Sequence, residues 1–253
     1  MNTTQISIIT PTFNSEKSIE RTLDSVLQQK TKPNEYIVVD NVSTDQTLKL
    51  VNSYKDLFLR KEIDLRIISE PDRGIYDAIN KGIRNSSGDW IGIINSDDYY
   101  EQHAIDRLLA ALNTYHFDIF HGDLIIFDSK ENTTIHYPRN DLKNTMSIFH
   151  PTMFISKESY AKVGLYDLNF KLSADFEWVL RARKAGLSFH YDHHLISHYY
   201  KYGASYKNRM RGIFENLRIR KKHSIPLVIT YYHLAKEIVF GPVKSFLMQI
   251  LKR

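Results

Sequence analysis

The amino-acid sequence predicts an α/β protein with a doubly wound, mostly parallel sheet covered by helices on both faces. Three observations carry that prediction. Short, nearly continuous apolar runs recur through the first 100 residues, segments of helical period separate them, and turn or capping residues stand at the junctions.

"ISIITPTF" is the first run, ending at Pro11 and Asn14. Ser15 is placed to cap a helix whose Ile19, Leu23, Val26 and Leu27 fall on one face. "YIVVDN" follows as a second strand, and "VSTDQTLKLVNSY" opens with capping residues and sets Leu48, Val51 and Tyr54 at helical spacing. The third unit joins "LRIISE" to "GIYDAINKGIRNSSG", where Ile75, Ile79 and Ile83 recur every four residues and Gly88 closes the segment. "DWIGIINSDD" is the fourth strand. In such sheets ligands bind beyond the carboxyl ends of the strands. The residues to inspect are therefore Pro11, Thr12, Phe13 and Asn14, then Asp40 and Asn41, Glu70 to Asp72, and Asn95, Ser96, Asp97 and Asp98.

Past residue 100 the pattern is less regular and reads as α+β. "AIDRLLAALNTY" is a helix, "FDIFHGDLIIFD" and "SKENTTIHYPRND" suggest a strand pair with a turn, and "SADFEWVLRARKAG" is a helix with Phe176, Val179, Leu180 and Arg183 in register that ends at Gly186. The last stretch, "IPLVITYYHLAKEIVFGPVKSFLMQILKR", has no apolar run near the roughly 20 residues of a membrane span. Two readings of it stay open: helices packed on the body, or a basic amphipathic tail lying in a membrane interface.

Composition narrows the function classes. The 253 residues suffice for one large domain, and the absence of cysteine removes disulfides, thiolate nucleophiles and thiolate zinc sites. "MNTTQISIITPTFN" lacks the charge and apolar length of a secretory leader, so the chain is expected on the cytoplasmic side. The net charge of +5 is uneven: residues 208–253 carry +8 and the first 207 carry −3. That distribution argues against a nucleic-acid-binding body and for a tail that meets an anionic surface.

Asp97 and Asp98 at a strand tip, with Asn95 beside them, suit a hard divalent cation that keeps waters and bridges to phosphate oxygens. A solvated strand end capping the next helix is the plainer alternative. No Walker loop and no Gly-x-Gly-x-x-Gly follows the first strand, so phosphates are not cradled by a glycine-rich loop. Asp40 and Asn41 fit either a ribose or base contact or a capped turn. A nucleotidyltransferase, a metal-dependent phosphohydrolase, and a decayed binding subunit also remain compatible with an acidic pair beside such a sheet.

Five segments, "SIITPTFNSEKSIERTLDSVLQQ", "YIVVDNVSTDQT", "EPDRGIYDAINKGI", "GDWIGIINSDD" and "GLYDLNFKLSADFEWVLR", occur in the order and at the separations seen in glycosyltransferase family 2. The resemblance runs from about residue 5 to 205, and "GIYDAINKG" is most similar to the bacterial exopolysaccharide and O-antigen branch. It implies a GT-A fold and an inverting, Mg2+- or Mn2+-dependent transfer of one sugar from a nucleotide-diphosphate donor, UDP-linked for preference, to a glycan acceptor; the basic tail adds the expectation of a lipid-linked acceptor, for example on a polyprenyl diphosphate. It also implies a single domain whose residues 1–100 take the nucleotide sugar and 101–207 the acceptor, followed by the tail at 208–253. Carried over position by position, it puts Pro11, Thr12, Phe13, Asn14, Asp40, Asn41, Asp72, Asn80, Asn95, Ser96 and Asp98 on the nucleotide-sugar side, and Asp97 on the metal. Asp175 matches the catalytic base, for which an N-cap aspartate is the structural alternative. His150 and Lys201 fall near the acceptor or diphosphate. The chain departs from the family pattern at Asn41, Asn95 and Ala174, where acidic residues are usual, and at Tyr202, where a histidine is common.

Overall fold

The computed structural model describes residues 4–128, 132–138, 148–226, 228, 229 and 231. The four apolar runs form β1 (Ile6–Thr12), β2 (Glu35–Asp40), β3 (Asp64–Ser69) and β4 (Trp90–Ile93), which pair in parallel in the order β3-β2-β1-β4. Strands side by side in the middle of a sheet expose neither face, and β1, β2 and β4 are buried along their whole length. Alternation along these strands feeds two cores. Ile9, Ile37, Val39, Ile91 and Ile93 enter one, while Ile8, Tyr36, Val38 and Trp90 enter the other.

Helices α1 (Ile19–Leu27), α2 (Thr47–Ser53) and α3 (Lys55–Arg60) serve the second core through Ile19, Leu23, Val26, Val51 and Phe58. Helix α4 (Ile75–Asn85) serves the first through Ile79 and Ile83, each buried isoleucine contributing about 1.5–3 kcal/mol. A Cβ at Gly82 would lie 2.5 Å from Ile9 Cγ2, so α4 approaches β1 more closely than any side chain would allow.

Three local expectations need correction. The first helix starts at Ile19, because the Ser15 carbonyl accepts from Ser18 and Ile19 N–H in a preceding turn. The second is divided at Tyr54, whose ring turns in against Phe58 while its hydroxyl reaches Asp24. The third ends at Asn85 rather than Gly88, which lies instead against the backbone of Ser7.

Beyond β4 the sheet becomes mixed. After β5 (Tyr99–Tyr100) and α5 (Ala104–Leu112) come β6 (Ile119–Phe127) and β7 (Thr133–His136), the expected antiparallel pair. Next are β8 (Phe154–Ser156), α6 (Lys157–Val163), α7 (Ala174–Lys184) and β9 (Phe189–Tyr200). β8 joins the two halves, pairing antiparallel with both β4 and β6, and β9 runs parallel to β6 and closes on β5. β8 and β9 carry no clean alternation of period two, which hid them in the sequence. The expected stop at Gly186 holds, with φ +75°.

Finally α8 (Ala204–Lys207) and α9 (Arg209–Lys222) return across the second half. α9 is tied down by buried carboxylates. Glu177 of α7 receives Lys222 Nζ at 2.7 Å, Arg181 Nε at 2.8 Å and His223 Nε2 at 3.2 Å. Burial works against its ionisation, yet these partners hold its carboxyl below the ordinary value. The rest of the basic tail, from residue 232, lies outside the described residues.

Candidate active site

Four strand tips meet at the carboxyl edge of the parallel sheet. Asn14 takes a left-handed backbone (φ +48°), accepts the Thr44 N–H at 2.9 Å and donates its own N–H to Ser43 Oγ at 2.8 Å. Ser15 Oγ meets Ser96 Oγ at 2.8 Å, linking the β1 tip to the loop after β4. Pro11 and Thr12 are buried, and Phe13 is 55% exposed beside them, free to offer a ring face. Thr12 Oγ1 is buried without a partner. Asn41 Oδ1 accepts the Asp72 N–H at 2.8 Å, and Asp72 in turn holds Gly74 N–H at 2.7 Å. Burial pushes the Asp72 carboxyl up.

Three residues expected on this surface are turned inward. Asp40 is fully buried, its oxygens taken by Ser43 and Ser69, so it shapes the loop that follows β2. Asn80 is 2% exposed and trades two bonds with the Tyr166 backbone, at 2.9 and 3.0 Å, pinning α4 to the second half. Asp98 is wholly buried and accepts Tyr200 N–H at 2.8 Å and Asn95 Nδ2 at 2.9 Å, which fixes the end of β9. Burial, and the charge of Asp97 next to it, push the Asp98 carboxyl well up. Since both oxygens of Asp98 serve the fold, a solvent-facing role falls to Asp97 alone.

Burial also pushes Asp97 up, opposed by the charges of Arg21 and Lys207. Among the described residues no cation reaches salt-bridge distance of its carboxylate; Arg21 donates instead to its backbone oxygen at 2.8 Å. A Cβ on residue 203 would sit 2.8 Å from Asp97 Oδ2, so glycine lets the chain after β9 pass against this carboxylate. Among the described residues no group of three or more His, Asp or Glu could hold a metal by itself. One carboxylate, with the buried and unpartnered Asn95 Oδ1 nearby in sequence, is nevertheless a hard-oxygen set that fits Mg2+ or Mn2+ completed by substrate phosphates.

The base expected from the sequence opens onto a cavity between the halves. Asp175 lies in the first turn of α7, with Ser173 and not Asp175 at the N-cap. Its Oδ1 accepts the Tyr76 hydroxyl and the Phe176 N–H, each at 2.9 Å, while nothing among the described residues donates to Oδ2. Tyr76 stays protonated, since burial and the charge of Asp175 push its phenol well up. Asn95, His150, Tyr76, Lys171 and Asp175 line the cavity with Ile75, Ile79, Leu124, Ile126, Ile148, Phe149 and Leu172. His150 is committed through Nε2 to Tyr166 at 3.1 Å, and burial pushes its imidazole down. Lys201 is exposed, with Nζ 5.3 Å above the Tyr202 ring, and does not line the cavity.

Sequence reasoning missed four residues. Tyr76 stood inside a quoted motif without a role. Arg21 and Lys207 supply the positive charge around Asp97, from α1 and α8. Glu215 on α9 is buried and accepts the N–H groups of Lys171 at 3.0 Å, Leu172 at 2.8 Å and Ser173 at 3.2 Å, the residues leading into Asp175. Its only signal was being one of two acids in a strongly basic stretch.

A family profile described as Glycosyl transferase family 2 matches residues 7–166. A PGL/p-HBAD biosynthesis glycosyltransferase of Mycobacterium bovis is 28% identical over 200 residues, spanning 78% of this chain and 77% of that protein. Among solved structures, Staphylococcus aureus TarS residues 1–349 with UDP-GlcNAc superposes with a TM-score of 0.68 at 19% identity, over 87% of this chain and 66% of that one. The mannosyltransferase PcManGT from Pyrobaculum calidifontis, with GDP-Man and Mn2+, gives the same TM-score and identity over 87% and 64%. The chain thus spans just under two thirds of each of those structures. These likenesses place the mixed α/β sheet in the GT-A fold, and with the profile match the conclusion is direct: the chain belongs to glycosyl transferase family 2 and is a glycosyltransferase.

Proposed function

We propose that the chain transfers one sugar, with inversion, from a nucleotide-diphosphate donor to a hydroxyl of a lipid-linked glycan in the synthesis of a bacterial surface polysaccharide. The observation that carries this reading is Asp175: among the described residues the single carboxylate on the cavity wall, with one oxygen anchored by Tyr76 and Phe176 N–H and the other receiving no bond from them. This second oxygen accepts the acceptor hydroxyl's proton as the hydroxyl oxygen attacks the anomeric carbon. Double displacement needs a second nucleophilic group, and among the described residues no other carboxylate lines this cavity. Attack therefore comes once, from the face opposite the leaving diphosphate.

The strand tips around Phe13, Asn14 and Asn41 are the donor side, supported by the nucleotide-sugar complexes of TarS and PcManGT. UDP is the favoured carrier. Asp97 would hold Mg2+ or Mn2+, which when bound supplies Lewis-acid stabilisation to the departing diphosphate. Arg21 and Lys207 add positive charge on the same side. The apolar lining beside Asp175 favours an acceptor with an apolar portion, and the +8 charge of residues 208–253 favours work at the cytoplasmic face of a membrane.

The test is nucleoside diphosphate release with UDP- and GDP-sugars and a polyprenyl-diphosphate glycan, read with the product's anomeric configuration by NMR. Asp175→Asn should cost about 10²–10⁴-fold in kcat. Full turnover by that variant, or a retained configuration, would sink the mechanism, and release that needs no acceptor would point to hydrolysis.

A further inference from the structure

Helix α9 carries apolar residues on two sides. Its inner side buries Ile213, Glu215, Ile219 and Arg220. On the outer side Met210, Phe214 and Lys221 share one exposed face, flanked by the exposed Arg211, whose Nε also reaches Glu215 at 3.2 Å, and Arg218, whose guanidinium also lies 5.3 Å from the Phe170 ring centre. Tyr206 of α8, whose ring meets Tyr202 edge-on, is exposed as well: Tyr206, Met210 and Phe214 are 54%, 56% and 59% exposed. Single exposed apolar residues occur elsewhere on the surface, as at Leu59 of α3, but on α9 they stand among three cations on one face. The outer face carries no acid, because Glu215, the sole carboxylate of α9, points inward.

Charge selects the occupant. A second copy meeting this face would set cations against cations. The chain's own residues 232–253 hold four Lys/Arg against one Glu and meet the same repulsion. An anionic surface with an apolar interior complements both features. Among the described residues no helix is long and apolar enough to cross a membrane, and a basic face with apolar residues suits interfacial docking.

We propose that the outer face of α8 and α9 docks on an anionic lipid bilayer. Tyr206, Met210 and Phe214 enter the boundary between headgroups and acyl chains, and Arg211, Arg218 and Lys221 meet lipid phosphates. This deepens the membrane part of the proposed function by naming its surface, and it does not depend on the sugar or the base. It also gives the bilayer a fixed relation to the chemistry, because the inner side of the same helix holds residues 171–173 through Glu215.

The test is sedimentation of the full chain with vesicles of phosphatidylcholine alone or mixed with phosphatidylglycerol. Binding should require the anionic lipid and weaken with salt. Met210→Ser with Phe214→Ser should lower partition tenfold or more, and Arg218→Gln and Lys221→Gln about fivefold each, with thermal midpoints confirming folding. Phe246→Ser with Leu247→Ser, in the tail, is the comparator. Three results would overturn the proposal: no binding to anionic vesicles, binding abolished by the tail pair but untouched by the α9 pair, or a lipid-free dimer that the α9 pair dissociates. Nucleoside diphosphate release on a soluble acceptor, measured in parallel, separates a failure of docking from a failure of the sugar-transfer reading.

Discussion

Replacing Glu215 by glutamine tests whether α9 positions the base. The carboxylate takes three backbone N–H groups, Lys171 on Oε1 and Leu172 and Ser173 on Oε2, and Arg211 Nε approaches Oε1 at 3.2 Å. Glutamine has one acceptor oxygen. Seated where Oε2 was, it keeps two bonds in neutral form and turns its NH2 toward the Lys171 N–H, which loses its partner. Two bonds weakened by about 1 kcal/mol each, plus one orphaned donor at about 1–2 kcal/mol on a partly exposed segment, total about 3–4 kcal/mol. A fold of ordinary stability survives this loss, with a thermal midpoint lower by roughly 6–16 °C. The larger effect should fall on turnover, since displacing the base by about 1 Å can cost about 100-fold. Asp175 sits two residues beyond the last N–H that Glu215 holds. The assay is steady-state kinetics well below the variant's midpoint. A fall in kcat with KM nearly unchanged supports positioning, whereas a lowered midpoint with kcat within twofold of wild type would refute it and leave Glu215 a purely structural residue.

Tyr76→Phe removes the 2.9 Å bond to Asp175, and a hydrogen bond to a charged group is worth about 1.5–3 kcal/mol; kcat should fall by about tenfold or more, and unchanged kinetics would show that Phe176 N–H alone orients the carboxylate. Asp97→Asn should raise the half-saturating Mn2+ concentration at least tenfold, yet hold or raise the metal-free melting point, because a half-buried, poorly compensated charge is lost; a melting point several degrees lower would argue that Asp97 serves the fold. His121 stacks on Tyr191 and is buried, with its imidazole pushed down to about 4 by that burial. Its unfolded form binds the proton first, so the stability is full above about pH 6.5, and about 3 kcal/mol is lost as pH falls from 6.5 to 4. Urea titrations of His121→Phe across that window should lose this slope, and an unaltered slope would place its origin elsewhere.

The parallel half of the fold was legible because its strands are buried on both faces, a condition only long apolar runs satisfy. The mixed half was not. β9 interleaves His190, Tyr191, Asp192, His193 and His194 with apolar residues, and its partner β6 is shifted by irregular register between His121 and Leu124, so no period of two survives. The candidate site divides in the same way. Asp97 and Asp175 are proposed from motif position, but residue type cannot tell Asp97 from Asp98. Their difference arises from Tyr200, 102 residues beyond Asp98, whose N–H turns the second carboxylate inward. The burial of Asp40 and Asn80 was hidden for the same reason: their partners, Ser69 and Tyr166, are distant in sequence.

The family profile stops at residue 166, while Asp175 and the Glu215 that holds its approach lie beyond it. The proposed donor side is built from strand tips whose backbone is fixed by the sheet itself, so short motifs suffice to specify it. The proposed base, Asp175, has no such support. α7 begins after an irregular stretch, 164–173, that no strand pairs, and its geometry is over-determined from outside: by Tyr76 from α4, by Glu215 from α9, and by Glu177 locking α7 to Lys222 and His223. A helix with that role cannot move freely relative to the chemistry. Whatever rests on its outer face therefore sets how the cavity is presented to an acceptor, which gives a reason for the same helix to carry apolar and basic residues outward and a buried carboxylate inward.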